Sequence, residues 1–138
     1  MAAVTGTDGK TSTAHLIAQA LEQLDAPCAY LGTLGYGRLL NLTASTHTTP
    51  DPVRLQKMLA GFVEAGVKAA AIEVSSHALD QYRVSGTKFD VAVLTNNTRE
   101  HLDYHGTIEN YAADQQRMFE WVGLGARLLK SDGAYGEA

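Results

Sequence analysis

Short apolar runs alternate along this chain with longer segments of helical period, and that alternation limits the fold more than any other feature. Ala2-Ala3-Val4-Thr5, Cys28-Ala29-Tyr30-Leu31, Ala69-Ala70-Ala71-Ile72-Glu73-Val74, Val91-Ala92-Val93-Leu94-Thr95-Asn96 and Ala126-Arg127-Leu128-Leu129-Lys130 each read as a strand. Between them, Leu16, Ile17, Ala20, Leu21 and Leu24 recur at helical spacing from Lys10 onward. Val53, Leu55, Leu59, Phe62 and Val63 do the same after Asp51, a fitting N-cap with Pro52 at the first helical position. A further helix is expected from about Ile108 to Trp121. Strands that are apolar throughout need cover on both faces. The expected class is therefore α/β, a mostly parallel sheet with flanking helices, whose ligands bind at the carboxyl ends of the strands.

Composition narrows the function classes. Among 138 residues, 45% are hydrophobic, which excludes a disordered chain. A single cysteine, Cys28, excludes a disulfide scaffold and suits a reducing compartment. No apolar run approaches the roughly 20 residues of a membrane span. The opening residues lack the basic and apolar regions of a secretory signal, so the expected location is cytoplasmic with no membrane partner. With 11 Lys+Arg against 15 Asp+Glu, the net charge of −4 gives no footing for nucleic acid.

The polar clusters follow the strands. Gly6-Thr7-Asp8-Gly9-Lys10-Thr11-Ser12 lies between the first strand and the first helix. Its glycines let backbone N–H groups turn toward a phosphate, and the helix start adds a positive dipole end. Lys10 can reach the outer phosphates, and Thr11 can offer a hydroxyl to Mg²⁺. The loop is shorter at its start than the general phosphate-binding loop, because Val4 stands where a glycine is expected. An ordinary glycine-rich turn is the plainer alternative, disfavoured by the Gly-Lys-Thr ending in strand–loop–helix context. Glu73 closes a buried strand, where a carboxylate needs a partner or a metal. After the strand at 91–96, His101, His105, Arg99, Glu100, Asp103 and Tyr104 crowd one loop.

Gly6-Thr7-Asp8-Gly9-Lys10-Thr11, Thr48-Thr49-Pro50-Asp51-Pro52, Glu73-Val74-Ser75-Ser76-His77-Ala78-Leu79, Gln81-Tyr82-Arg83-Val84 and Glu100-His101-Leu102-Asp103-Tyr104-His105-Gly106 occur in the order found in Mur ligases. The chain resembles that family from its first residues to about Phe119, and most of all its tripeptide-forming branch. The resemblance implies the central ATP-binding domain, here incomplete over 1–138, without the amino-terminal UDP-binding and carboxyl-terminal amino-acid-binding domains. It implies an ATP-dependent amide-bond ligase of peptidoglycan synthesis. Such an enzyme adds a diamino acid, diaminopimelate or lysine, to UDP-MurNAc-L-Ala-D-Glu through an acyl phosphate, acts as a monomer when complete, and uses ATP and Mg²⁺. The isolated chain is expected to be inactive.

The same resemblance implies roles by position. Gly6, Thr7, Asp8, Gly9, Lys10, Thr11 and Ser12 would cradle ATP, with Lys10, Glu73 and His101 catalytic. Thr11, Glu73 and His101 would hold metal. Thr48, Thr49, Ser75, Gln81 and Arg83 would contact the UDP-sugar-peptide. Gln115 departs from the pattern: the family carries a lysine there, four residues after the position of Tyr111, which is carbamylated and ligates the second Mg²⁺. An amide cannot be carbamylated, so the second metal site is expected to be weakened or rebuilt with Asp114. Lys130 and Gly133 likewise replace polar groups of a family strand end. Two other readings accord with these residues: a non-catalytic nucleotide-binding module, and a ligase of the same superfamily with another carboxylate substrate.

Overall fold

The computed structural model describes residues 1–6, 8–44, 48–95, 118, 121 and 124–129. Among the described residues six strands form one sheet, in the order β3-β2-β4-β1-β5-β6. They are β1 (Ala2–Thr5), β2 (Cys28–Gly32), β3 (Gly35–Gly37), β4 (Ala69–Glu73), β5 (Val91–Leu94) and β6 (Ala126–Leu129). All pairings are parallel except the short β2–β3 hairpin, which is antiparallel. The fold class expected from the alternation is the one observed. Among the described residues the α-helices of known extent are α1 (Lys10–Gln23), α2 (Pro52–Glu64) and α3 (Ser76–Asp80), with one 3-10 turn at Leu39–Asn41.

The period of two along each strand sorts side chains onto two faces. Val4, Cys28, Tyr30 and Ala71 join Ala14 and Ala18 of α1 in one apolar cluster. Ala3, Ala29, Leu31, Ala70 and Ile72 join Leu55 of α2 and Ala78 and Leu79 of α3 in the other. Helix cover on both sides is the reason these strands are apolar at nearly every position. Trp121, half-buried, packs on Phe89 at 5.7 Å between ring centroids and donates its indole N–H to the Thr87 carbonyl at 2.8 Å.

Local chemistry sets the element ends. Asp51 caps α2 by accepting from the Arg54 N–H at 2.9 Å, with Pro52 in the first turn. Ser75 caps α3 by accepting from the Ala78 N–H at 3.0 Å. Glu22, near the end of α1, accepts from the Cys28 N–H at 3.0 Å and from two Arg38 nitrogens at 2.5 and 2.7 Å. One side chain thereby ties the helix to the start of β2 and to the far side of the hairpin. Cys28 is a buried apolar residue, as its sequence context suggests, and burial pushes its thiol above the usual range.

Strand order places the polar loops. The chain leaves β1 toward β2 on one side, and leaves β4 toward β5 on the other. Adjacent carboxyl ends with opposed exits form the crevice in which α/β sheets bind ligands. The glycine loop follows β1, and Glu73 ends β4, so the two face each other across that crevice.

Three local features add to this frame. The α3 helix of five residues was not expected, being too short to show a period. The glycine-punctuated stretch after β2 forms the β3 hairpin, extended by a bridge between Tyr36 and Thr43. His15, on α1, is half-buried, with its ring edge-on to Tyr30 at 6.2 Å.

Candidate nucleotide and metal site

The loop after β1 has the form its glycines suggest. Gly9 sits at φ +84° as the N-cap of α1, a conformation L side chains rarely adopt. No acidic residue stands in the first turn of α1, and the positive end of the helix dipole there favours an anion. Gly6 is buried, Asp8, Gly9 and Ser12 are exposed, and Lys10 and Thr11 are half-buried. Lys10 folds back and donates from Nζ to the Gly6 carbonyl at 2.7 Å, lying along the loop it would serve. Thr95, at the end of β5, donates from its hydroxyl to the Asp8 carbonyl at 2.6 Å, and its N–H donates to the Thr5 carbonyl at 3.0 Å. The loop is thus tied to the end of β5. By its sequence context Thr95 is only the polar end of a strand; its pairing with a residue 87 positions earlier leaves no local sequence signal.

Glu73 is the centre of the site. Its side chain is 1% exposed. Oε1 accepts from the Thr11 hydroxyl at 2.8 Å and from the Thr33 hydroxyl at 3.2 Å. Oε2 accepts from the Thr33 N–H at 2.8 Å and from the Tyr30 hydroxyl. Four donors around one buried carboxylate supply the compensation that burial of a charge demands. Burial, and then the hydrogen bond to Glu73, push the Tyr30 hydroxyl far above its ordinary range, so it remains the donor. Gly32 makes the arrangement possible: a Cβ there would lie 1.8 Å from Glu73 Oε2 and 2.5 Å from the Tyr30 hydroxyl.

The expected substrate residues form a connected group beside this carboxylate. Thr48 lies 3.1 Å from the Thr33 hydroxyl. Thr49 is fully buried; its hydroxyl donates to the Glu73 carbonyl at 2.8 Å and accepts from the Ser75 N–H at 3.2 Å. Its side chain therefore anchors the loop to the end of β4. Arg83 donates to the Thr49 carbonyl at 3.2 Å and to Gln81 Oε1 at 3.0 and 2.6 Å. Sequence reasoning missed Tyr30 and Thr33, which lie in and just after β2. Thr7, His101, His105, Tyr111, Asp114, Gln115, Phe119 and the stretch 130–136 lie outside the described residues, as does most of the helix expected at 108–121. Among the described residues no group of three or more His, Cys, Asp or Glu could hold a metal, and no helix is long and apolar enough to cross a membrane.

The family model described as the Mur ligase middle domain matches residues 4–137. The chain belongs to the Mur ligase family. Among curated relatives, the UDP-N-acetylmuramoyl-L-alanyl-D-glutamate–2,6-diaminopimelate ligase of Pseudomonas aeruginosa is 51% identical over 133 residues, covering 96% of this chain and 27% of the relative. The ligase of the same name from Coxiella burnetii is 50% identical over 134 residues, covering 97% and 27%. A solved structure of a 2,6-diaminopimelate ligase superposes with a TM-score of 0.92 at 41% identity, covering 99% of this chain and 27% of that one. This Mur ligase chain therefore spans about a quarter of the length of the curated relatives it matches.

Proposed function

We propose that these residues act as the ATP-binding middle domain of a ligase that joins 2,6-diaminopimelate to UDP-MurNAc-L-Ala-D-Glu in peptidoglycan synthesis. The whole enzyme, in this reading, is a cytoplasmic monomer that carries its UDP-binding and amino-acid-binding domains outside these residues. The names of the relatives support diaminopimelate over lysine. The observation that carries the reading is the 2.8 Å contact between Thr11, at the end of the phosphate loop, and the buried carboxylate of Glu73.

The chain's own residues account for most of the chemistry. The start of α1 and Lys10 bind and orient the ATP phosphates, so that the outer phosphate points across the crevice. Thr48, Ser75, Gln81 and Arg83 bind the UDP-linked dipeptide, with Thr49 fixing their loop from below. Arg83 is suited to a carboxylate or phosphate because its planar fork can form paired hydrogen bonds. The dipeptide carboxylate attacks the outer phosphate, ADP leaves, and the amine of diaminopimelate displaces phosphate from the acyl phosphate. Positioning and charge neutralisation govern such transfers, so no side-chain nucleophile is needed.

The residues present fit a magnesium ion. Thr11 and Glu73 supply hard oxygen atoms beside the phosphate loop, as Mg²⁺ requires, and Gly32 leaves the carboxylate its space. Thr11 and Glu73 would hold the ion, with His101 proposed at a second one. Bound there, Mg²⁺ supplies charge neutralisation on the transferring phosphate.

The test is ATP turnover by the complete ligase chain. ADP release should require both UDP-MurNAc-L-Ala-D-Glu and diaminopimelate, and should be lost in Lys10→Ala and Glu73→Gln. ADP release independent of the dipeptide, or full activity in Lys10→Ala, contradicts the assignment.

A further inference from the structure

Resting on the functional reading above, we infer that Tyr30 and Thr33 are positioning residues that orient the Glu73 carboxylate toward the nucleotide and its divalent cation. Neither belongs to the phosphate loop. Of the four donors that the described residues place on Glu73, one comes from that loop, Thr11; the other three come from Tyr30 and Thr33. A carboxylate turns readily about its last torsion and can present either oxygen. Here the Tyr30 hydroxyl and the Thr33 N–H both hold Oε2, which leaves Oε1 as the oxygen turned to Thr11.

Tyr30 is itself held fast. It is fully buried, its hydroxyl accepts from the Leu34 N–H at 3.3 Å, and His15 of α1 packs edge-on against its ring. Thr33 adds a link in the other direction. Its hydroxyl has one proton, and that proton goes to Glu73 Oε1. The 3.1 Å contact with Thr48 is then donated by Thr48, so the loop at 48–49 is oriented by the same carboxylate that faces the phosphate loop. The hairpin turn after β2 thereby joins the nucleotide side of the crevice to the peptide side.

Groups that hydrogen-bond a ligating carboxylate set its orientation, and their loss typically weakens metal binding roughly 10- to 100-fold. The experiment uses the complete ligase chain with Mn²⁺ as the probe. Free Mn²⁺ is followed by electron paramagnetic resonance in the presence of a non-hydrolysable ATP analogue, with thermal melting run alongside. Tyr30→Phe and Thr33→Ala should each weaken Mn²⁺ binding about tenfold. Thr33→Ser, which restores the hydroxyl, should bind as the unaltered protein does. A purely structural role would lower the melting temperature of Tyr30→Phe and leave its Mn²⁺ affinity unchanged; that result overturns the inference. If Tyr30→Phe fails to fold, the Thr33→Ala and Thr33→Ser pair decides alone, and equal affinities in the two overturn it. Absence of nucleotide-dependent Mn²⁺ binding in the unaltered protein overturns the functional reading itself and is distinguishable from either result.

Discussion

Substituting alanine for Gly32 probes the carboxylate cradle with a single methyl group. Ordinary van der Waals contact begins near 3.4 Å, whereas the new Cβ would lie 1.8 Å from Glu73 Oε2. The oxygen must retreat by about 1.6 Å, the difference between those two distances. That movement breaks its bonds from the Tyr30 hydroxyl and the Thr33 N–H. Hydrogen bonds to charged groups contribute about 1.5–3 kcal/mol each, and over-packing a core costs about 1–3 kcal/mol. Partial re-pairing of the displaced carboxylate keeps the sum down, so the expected destabilisation is about 3 kcal/mol. The assay is urea denaturation of the complete ligase, read at the middle-domain transition, together with affinity for an ATP analogue. Both should fall. Gly61→Ala is the control: it lies inside α2 with nothing within 4 Å of a new Cβ, and should stabilise by about 0.5–1 kcal/mol. A Gly32→Ala protein with unaltered stability and nucleotide affinity would refute the close packing of Gly32 against Glu73.

Three further outcomes are expected. Asp51→Ala removes the cap of α2 and should destabilise by about 1 kcal/mol in denaturant titration, with Asp51→Ser nearly neutral. The Arg38 hydrogen bond, and then that from the Cys28 N–H, hold the Glu22 carboxyl below its ordinary 4.5. Its contribution to stability is therefore complete above pH 4.5 and fades as the pH falls through the lowered value; Glu22→Gln should make the acid side of the melting-temperature profile shallower, and a steeper profile would count against it. Gln115→Lys should raise ligase turnover and lower its Mg²⁺ requirement, because a lysine there can be carbamylated; unchanged values in both would remove the argument for a weakened second metal site.

Features that depend on neighbours in sequence were legible before the structure. The first strand, the glycine loop and α1 follow one another, and the Asp51-Pro52 start of α2 is a local signal. Glu73 stood out because a carboxylate at the end of an apolar run requires partners, and the structure supplies four. Tyr30, Thr33 and Gly32 did not stand out. Their importance arises only when β2 lies beside β4, a pairing between segments some 40 residues apart that no local pattern encodes. Thr49 shows the same limit from the other side. Its motif pointed to substrate, while its buried hydroxyl holds the end of β4 in place. In each case the residue type was visible and the partner was not.

The central claim is that Thr11 and Glu73 form one metal-holding pair across the crevice between β1 and β4. Anomalous diffraction from Mn²⁺ in crystals of the complete ligase with a non-hydrolysable ATP analogue tests it most directly. The account predicts a peak within about 2–2.5 Å of both the Thr11 hydroxyl and a Glu73 oxygen, next to the phosphates. A peak beside the phosphates but away from Glu73, with the carboxylate still held by Tyr30 and Thr33, would contradict it.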